Sequence, residues 1–335
     1  MEVEILMNDT SEKSVFVKNT SPESLKEDIL DVLKKTYVDK VKSRNMTVIK
    51  INGNHDIEYP GSDTSSWFLD VLLYSLKELG FNEIIVVEGD GYLYSAEKMI
   101  KNTGLINICN KYDVPFKSYE HLERDENDLP SILKDSQLIN VPVFHTHGFA
   151  IISCATKNLF GLLPKSRWKY HDCLEEKLIE LYNKVKPIYT IVDGTVGLKG
   201  DSTRRGDPVQ LDLIAAGWDT LEIDVLAAKI MGYTIDDIPL LKYAKENNVL
   251  QKDSVEVFGD YTWQSLPIHD FSFSYSGPKN FSLWLHKHAT TKKIVQWDPM
   301  NKLFHKFRGM YEVYTFWKKK KKLFTGPWME YKKRI

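Results

Sequence analysis

Three histidines, one lysine and one aspartate have the types and spacing for chemistry. His145 and His147 lie two apart in Phe144-His145-Thr146-His147-Gly148. On a strand, such positions share a face, so both imidazoles would point to one side of a strand end. Neutral imidazole is a good ligand for zinc, iron or nickel, and it also moves protons near neutral pH. His171 and Asp193 would complete a metal set with them. The plainer alternative is a pair of hydrogen-bonded loop histidines. Lys157 sits among apolar neighbours in "ISCATKNLFGLLP". Burial disfavours its charge and would lower its pKa, as in Schiff-base and anion-binding lysines. The alternative is a lysine whose stem packs while its head reaches water. His147, Lys157 and His171 are the candidate catalytic residues.

Two further stretches suit an anion. "YPGSDTSSWF" puts Gly61, Ser62 and Thr64 just before a helix. Free N–H groups and hydroxyls there could hold a phosphate or carboxylate, and ordinary capping explains the same residues. "GDSTRRGDP" offers Arg204 and Arg205, whose forked donors match carboxylate or phosphate. A solvated surface loop explains those too. Asp219 and Asp224 could ligate metal or cap helices.

The elements that would position these residues alternate. "MTVIKI" (46–51), "NEIIVVEGDG", "VPFKSYE", "SQLINVPVFHTHG", "IYTIVDGTVG" and the start of "LDLIAAGWDTLEIDVLAAKIMGY" read as strands. Helices are expected over "SPESLKEDILDVLKKTYVDKV" with Ser21 as N-cap, "SSWFLDVLLYSLKELG" ending at Gly80, "SAEKMIKNTGLINICNKY", "LEEKLIELYNKVKP" and "IDDIPLLKYAKENNV". "GLKGDSTRRGDPVQ" reads as a glycine-rich polar loop. This alternation predicts an α/β protein with mostly parallel sheets and flanking helices. Sites in such folds lie beyond the carboxyl ends of the strands, where loops 52–66 and 88–94 fall. The expected organisation is one α/β domain over 1–260, with lobes of about 1–130 and 131–260 facing a cleft. An aromatic and basic extension follows over 261–335.

Composition narrows the class. Hydrophobic residues at 42% and charged residues at 27% suit a folded chain. A net charge of −1 leaves no overall pull toward nucleic acid. Cys109, Cys154 and Cys173 form no C-x-x-C pair, so neither a cysteine-only iron–sulfur cluster nor a disulfide framework is expected, and a reduced, cytoplasmic setting is the simplest reading. The acidic start lacks a long apolar core, so no signal peptide or membrane span is expected. From Trp317 onward, lysines mix with aromatics. Such a tail can bind single-stranded nucleic acid or an anionic membrane surface, but a solvated basic face with packed aromatics is the preferred reading.

Gly53-Asn54-His55-Asp56 resembles the metal corner of calcineurin-type phosphoesterases, and "FHTHG" resembles their closing Gly-His-x-His. Those enzymes need a D-x-H and a G-D-x-x-D earlier in the chain, whose carboxylates bridge the two ions. No His precedes His55, Leu93 stands where the second Asp is needed, and Phe144 stands where Gly is needed. A metallophosphoesterase is therefore the weakest alternative, and His55 reads as a loop residue.

A broader pattern fits residues 48 to 250. It includes Lys50-Ile51-Asn52, Pro60-Gly61-Ser62-Asp63-Thr64, Pro142 to Gly148, and Lys157-Asn158-Leu159-Phe160-Gly161. His171, Asp193-Gly194, Gly200 to Pro208, Asp219 with Asp224, and Met231-Gly232 follow in order. This resembles the family catalogued as domain of unknown function 362. The chain departs from it at His145, where a lysine is usual, and at Ser202-Thr203 in the glycine-rich loop. It also lacks the ferredoxin-like cysteines of many relatives, which leaves room for a separate redox partner. The spacing of His147, Lys157 and His171 is distantly similar to that of nickel-pincer lactate racemases, in which the lysine carries the cofactor and the second histidine ligates nickel. The resemblance implies a place for Lys50 and Asn52 beside the anion residues.

These readings converge on an enzyme acting on a small anionic metabolite, with metal- or cofactor-assisted redox or racemase-like chemistry. The alternative is a non-catalytic module that binds a phosphorylated ligand. Oligomeric state is not legible.

Overall fold

The computed structural model describes residues 14–41, 46–91, 94–185, 188–200, 202–277 and 298–334. The acidic start (1–13), part of loop 88–94, Asp201 in the glycine-rich loop, and residues 278–297 of the extension lie outside the described residues.

Among the described residues, ten strands form one sheet. They are β1 (Ser14–Asn19), β2 (Thr47–Lys50), β3 (Ile84–Glu88), β4 (Phe116–Ser118), β5 (Gln137–Asn140), β6 (Val143–His147), β7 (Ile151–Ser153), β8 (Ile188–Lys199), β9 (Asp207–Gly217) and β10 (Glu256–Gly259). The order is β10-β1-β9-β8-β5-β2-β3-β4, and β6 joins β8 with β7 at its side. Strands β5, β2, β3 and β4 run parallel, as do β5 and β8. This is the mostly parallel α/β architecture that the alternation predicts.

The two expected lobes share that sheet. Strand β5, from the second half, is hydrogen-bonded between β8 and β2. The two halves therefore both contribute strands to this layer. Alternate strand residues supply two cores, one per face. Val48, Ile85, Val87 and Leu138 face one, while Ile49, Ile84, Val86 and Ile139 face the other. Helices α1 (Leu25–Thr36) and α2 (Ser66–Glu78) cover the second face, as do α3 (Ala96–Asn102) and α4 (Leu105–Lys111). Helices α6 (Leu174–Lys184), α7 (Thr220–Ile230) and α8 (Pro239–Glu246) cover the first. On α2, Phe68, Leu69, Leu72, Leu73 and Leu76 are fully buried. Truncating one such leucine to alanine costs about 2–5 kcal/mol.

Several local expectations change. Strand β1 forms from "SVFVKN", which the alternation reading passes over; it lies between β9 and β10, where Val15, Phe16 and Val17 are all buried. Ser24 rather than Ser21 is the N-cap of α1, and the Ser21 hydroxyl instead accepts from the N–H groups of Glu23 and Ser24. The helix expected over 95–112 breaks at Gly104, whose φ of +80° opens α4. Val141-Pro142 divides the strand expected over 136–148 into β5 and β6. The glycine-rich loop is mostly a hairpin: β8 and β9 pair antiparallel out to Lys199 and Asp207, which leaves only the tip as loop. The extension forms α9 (Asp298–Leu323) and α10 (Met329–Lys333). Among the described residues, no helix is long and apolar enough to cross a membrane.

Candidate functional site

The sheet register brings strand ends together. Lys50, the last residue of β2, pairs in register with Asn140, the last of β5. Glu88 ends β3 next door. All three therefore emerge side by side at the carboxyl edge of the parallel strands, where α/β sheets place their sites. Lys50 Nζ donates to both Glu88 oxygens at 3.0 Å, to the Ile51 carbonyl at 2.9 Å and to Asn158 Oδ1 at 3.2 Å. Glu88 also accepts from the N–H groups of Gly53 and Gly89. Asn158 Nδ2 donates to Asn140 Oδ1 at 2.8 Å. Both charges of this pair are shut off from water, and burial lowers the Lys50 pKa against the attraction of Glu88. Lys50, expected to receive an anion, has its donors directed to Glu88, Ile51 and Asn158.

Glycines let the backbone close on this pair. A Cβ on Gly161 would sit 2.9 Å from Lys50 Nζ, and one on Gly89 would sit 2.7 Å from the Gly161 carbonyl.

The short helix α5 (Ala155–Asn158) carries Lys157 beside the pair. Asp224 on α7 holds it there by accepting from the N–H groups of Ala155 and Thr156 at 2.8 and 2.9 Å. Burial raises the Asp224 pKa to about 6. Asp219 caps α7 itself, accepting from Leu221 and Glu222. The two aspartates expected to cap or ligate thus both cap, and one of them aims the lysine. Lys157 is partly buried, and no described carboxylate pairs with its Nζ. Burial, then the charges of Arg167 and Lys50, lower its pKa to about 8. A cavity of about 10 Å³ adjoins Lys157 and Asp224, which is room for one water molecule. Arg167 is anchored by bonds to the carbonyls of Leu163 and Asp90.

His145 belongs to the same electrostatic cluster. It is fully buried, and burial with the Lys157 charge lowers its pKa to about 3. The amide groups of Asn54 and Asn52 approach its Nε2 at 3.1 and 3.5 Å. With Asn54 oriented as the donor, the neutral ring carries its proton on Nδ1, a tautomer assigned from that orientation. Nδ1 has no hydrogen-bond partner among the described residues.

The loop before α2 is filled by the protein's own carboxylates. Asp63 accepts from the N–H of His55, and from that of Asn54 at 2.5 Å; its second oxygen is unpartnered among the described residues. Burial raises its pKa well above the usual range. Asp193 accepts from the Ser65 N–H and hydroxyl through one oxygen, and from the Thr195 N–H and hydroxyl through the other. It occupies the N-terminus of α2 that the sequence offered to an external anion. Ser62 donates to the Thr203 carbonyl, Asn52 Nδ2 to the Ser62 carbonyl, and Thr64 to the Val141 carbonyl. A Cβ on Gly61, which has φ +78°, would run into the Gly197 carbonyl. Gly61, Ser62, Thr64 and Asn52 therefore lock the loop to β5 and to the β8–β9 hairpin. His55 is buried with Nε2 unpartnered among the described residues, and its pKa falls to about 4 through burial and the Arg204 charge.

The expected metal set is not assembled. Strand β6 does run through both His145 and His147. His147 Nδ1, however, accepts from the N–H groups of Phe149 and Ala150. His171 is exposed, with its ring edge-on to Phe149 and Phe160 at 5.9 and 5.6 Å. Asp193 is committed to Ser65 and Thr195. Among the described residues, no group of three His, Cys, Asp or Glu side chains is placed to hold an ion. The four residues expected to form a metal site, His145, His147, His171 and Asp193, are thus not gathered as such a group among the described residues.

Arg204 donates to the Asn54 carbonyl at 2.8 Å and to Glu312 of α9 at 3.2 Å, over the Tyr94 ring. Arg205 reaches Ser276 and lies over Tyr311. The expected anion clamp thus holds a carboxylate from the chain's own extension. Sequence reading missed Glu88, Asn140 and Arg167. The Glu88-Gly89 step at a strand end was the signal for the first; nothing local marks the other two.

An open-edged, mostly parallel α/β sheet with a buried cation–carboxylate pair at its carboxyl edge is the class that fold and site define. Residues 47–229 match the family model described as "Domain of unknown function (DUF362)". The chain belongs to that family. It is also 25% identical over 167 residues to the thylakoid-associated protein sll1697 of Synechocystis sp.. That similarity covers 44% of this chain and 51% of the relative, so the chain spans about half the length of the curated relative it matches.

Proposed function

We propose that the chain is an enzyme acting on a small anionic metabolite, with Lys157 as the group that meets it. The observation that carries this reading is an amine with no described carboxylate partner, whose pKa falls to about 8 through burial first and then through the charges of Arg167 and Lys50. Structural lysines are solvated or ion-paired; one kept short of counter-charge attracts an anion. Near neutral pH a fraction of it is also unprotonated. That form can add to a carbonyl carbon, with loss of water, to give a Schiff base. Redox or racemase-like chemistry beside a carboxylate suits such an amine. Asp224, Lys50 and Asn158 position it, and Arg167 adds positive charge. A ligand larger than water must displace part of the lining of the Lys157 cavity.

Calorimetric titration of the full chain with small carboxylates, 2-oxo acids and inorganic phosphate tests this. Wild type is expected to bind a member of the panel, and Lys157→Gln to lose at least about tenfold in affinity, the size of one charge-assisted contact. Borohydride treatment with a 2-oxo acid is expected to add mass at Lys157. Unchanged affinity in Lys157→Gln would contradict the reading. Anion affinity that depends on Lys157 but yields neither adduct nor turnover would favour the non-catalytic binding module.

A further inference from the structure

Helix α9 turns a stripe of large apolar side chains away from the protein. Phe307, Met310, Tyr314 and Trp317 are 61–62% exposed, and Val313 beside them is 45% exposed. The spacing of i, i+3, i+7 and i+10 puts them on one helical face. Of the large hydrophobic residues that are exposed in the described structure, most lie in this one stripe.

The helix cannot easily roll to hide it. Its opposite face is fixed by Glu312 on Arg204, Lys319 on Asp207 at 3.1 Å, and the buried Phe316 and Leu323. The next turn after the stripe carries Lys318, Lys320, Lys321 and Lys322, all exposed. Lys322 pairs with Asp207, and Lys320 lies over the Trp317 ring at 4.5 Å. Lys318, Lys320 and Lys321 make no ion pair among the described residues. The chain as a whole carries −1, so this positive charge is local.

We propose that this face of α9 docks on an anionic membrane surface. The arrangement chooses among partners. Binding single strands needs aromatics interleaved with cations along a groove, so that bases stack. Here the apolar residues form one block and the lysines the next turn, and Met310 and Val313 offer nothing to a base. An interfacial helix needs that segregation: apolar side chains enter the headgroup boundary while lysines meet anionic lipid. Trp317 and Tyr314 suit the boundary because each has an apolar body and a polar tip.

Co-sedimentation of the full chain with phosphatidylcholine vesicles, with and without phosphatidylserine, tests the proposal. Binding is expected at least about tenfold tighter to the anionic vesicles and weakened by salt. Tyr314→Ser with Trp317→Ser should abolish it. Lys318, Lys320 and Lys321 each changed to Gln should remove the preference for phosphatidylserine. These positions are exposed, and circular dichroism checks that each variant keeps the wild-type fold. Absence of vesicle binding by wild type, or binding unchanged in both variants, overturns the proposal. So does a stripe that proves to be an interface between copies, shown by dimer loss in the double variant without any vesicle binding. Binding of single-stranded oligonucleotide but not vesicles overturns it too.

Discussion

Lys50 Nζ lies 3.0 Å from both carboxylate oxygens of Glu88, and neither side chain meets water. The pair bridges the ends of β2 and β3, takes in Asn158 of α5, and so ties the segment carrying Lys157 to the sheet. Each charge depends on the other, because a lone buried charge costs several kcal/mol.

Removing one partner is therefore expected to be severe. Glu88→Gln or Lys50→Met should cost about 3–5 kcal/mol in urea unfolding. The double variant Lys50→Met with Glu88→Leu should recover much of that loss. A loss near zero in either single variant would mean the pair is solvated.

The two glycines over the pair should differ. Gly89→Ala drives a Cβ into a backbone carbonyl at 2.7 Å, whereas Gly161→Ala meets mainly the ends of the Lys50 and Glu88 side chains. Flexible ends shift and backbone does not. Gly89→Ala is expected to lower the melting temperature more than Gly161→Ala; the reverse order would contradict the packing described.

Asp224 gives a pH test. Its folded pKa is raised, from 3.8 to about 6, chiefly by burial. The folded state thus holds the proton more tightly, so this group's favourable share is fully present below about pH 4 and is lost as pH rises through 6. A shift of about two units corresponds to roughly 3 kcal/mol. Asp224→Asn should remove that slope from unfolding free energies measured between pH 4 and 7. An unchanged slope would place the titration elsewhere.

Much of the frame was legible because apolar periodicity and strand length carry it. "MTVIKI" and "NEIIVVEGDG" mark β2 and β3, and their ends mark the site. Lys157 and Asn158 stood out because a lysine in an apolar run is costly. The histidine cluster read as ligands because i and i+2 spacing reports a shared face, not what fills it. Nothing in the sequence near His145 announces that Asn52 and Asn54 will take its ring. Likewise Asp193 and Glu312 supply, from distant positions, the anions that the α2 N-terminus and Arg204 were expected to find in a ligand. β1 was missed because pairing partners far along the chain, β9 and β10, rather than local propensity, decide it. The strand ends at the tip of the β8–β9 hairpin were missed because their glycines and polar residues read as loop.

The most direct test of the central claim is the pH dependence of Lys157 modification by an amine-selective reagent, read by mass spectrometry of the peptide. Its pKa of about 8 predicts half-maximal reactivity near that pH, well below the surface lysines, and protection by the anion that binds. A midpoint above 10, or reactivity indifferent to every anion tested, would contradict it.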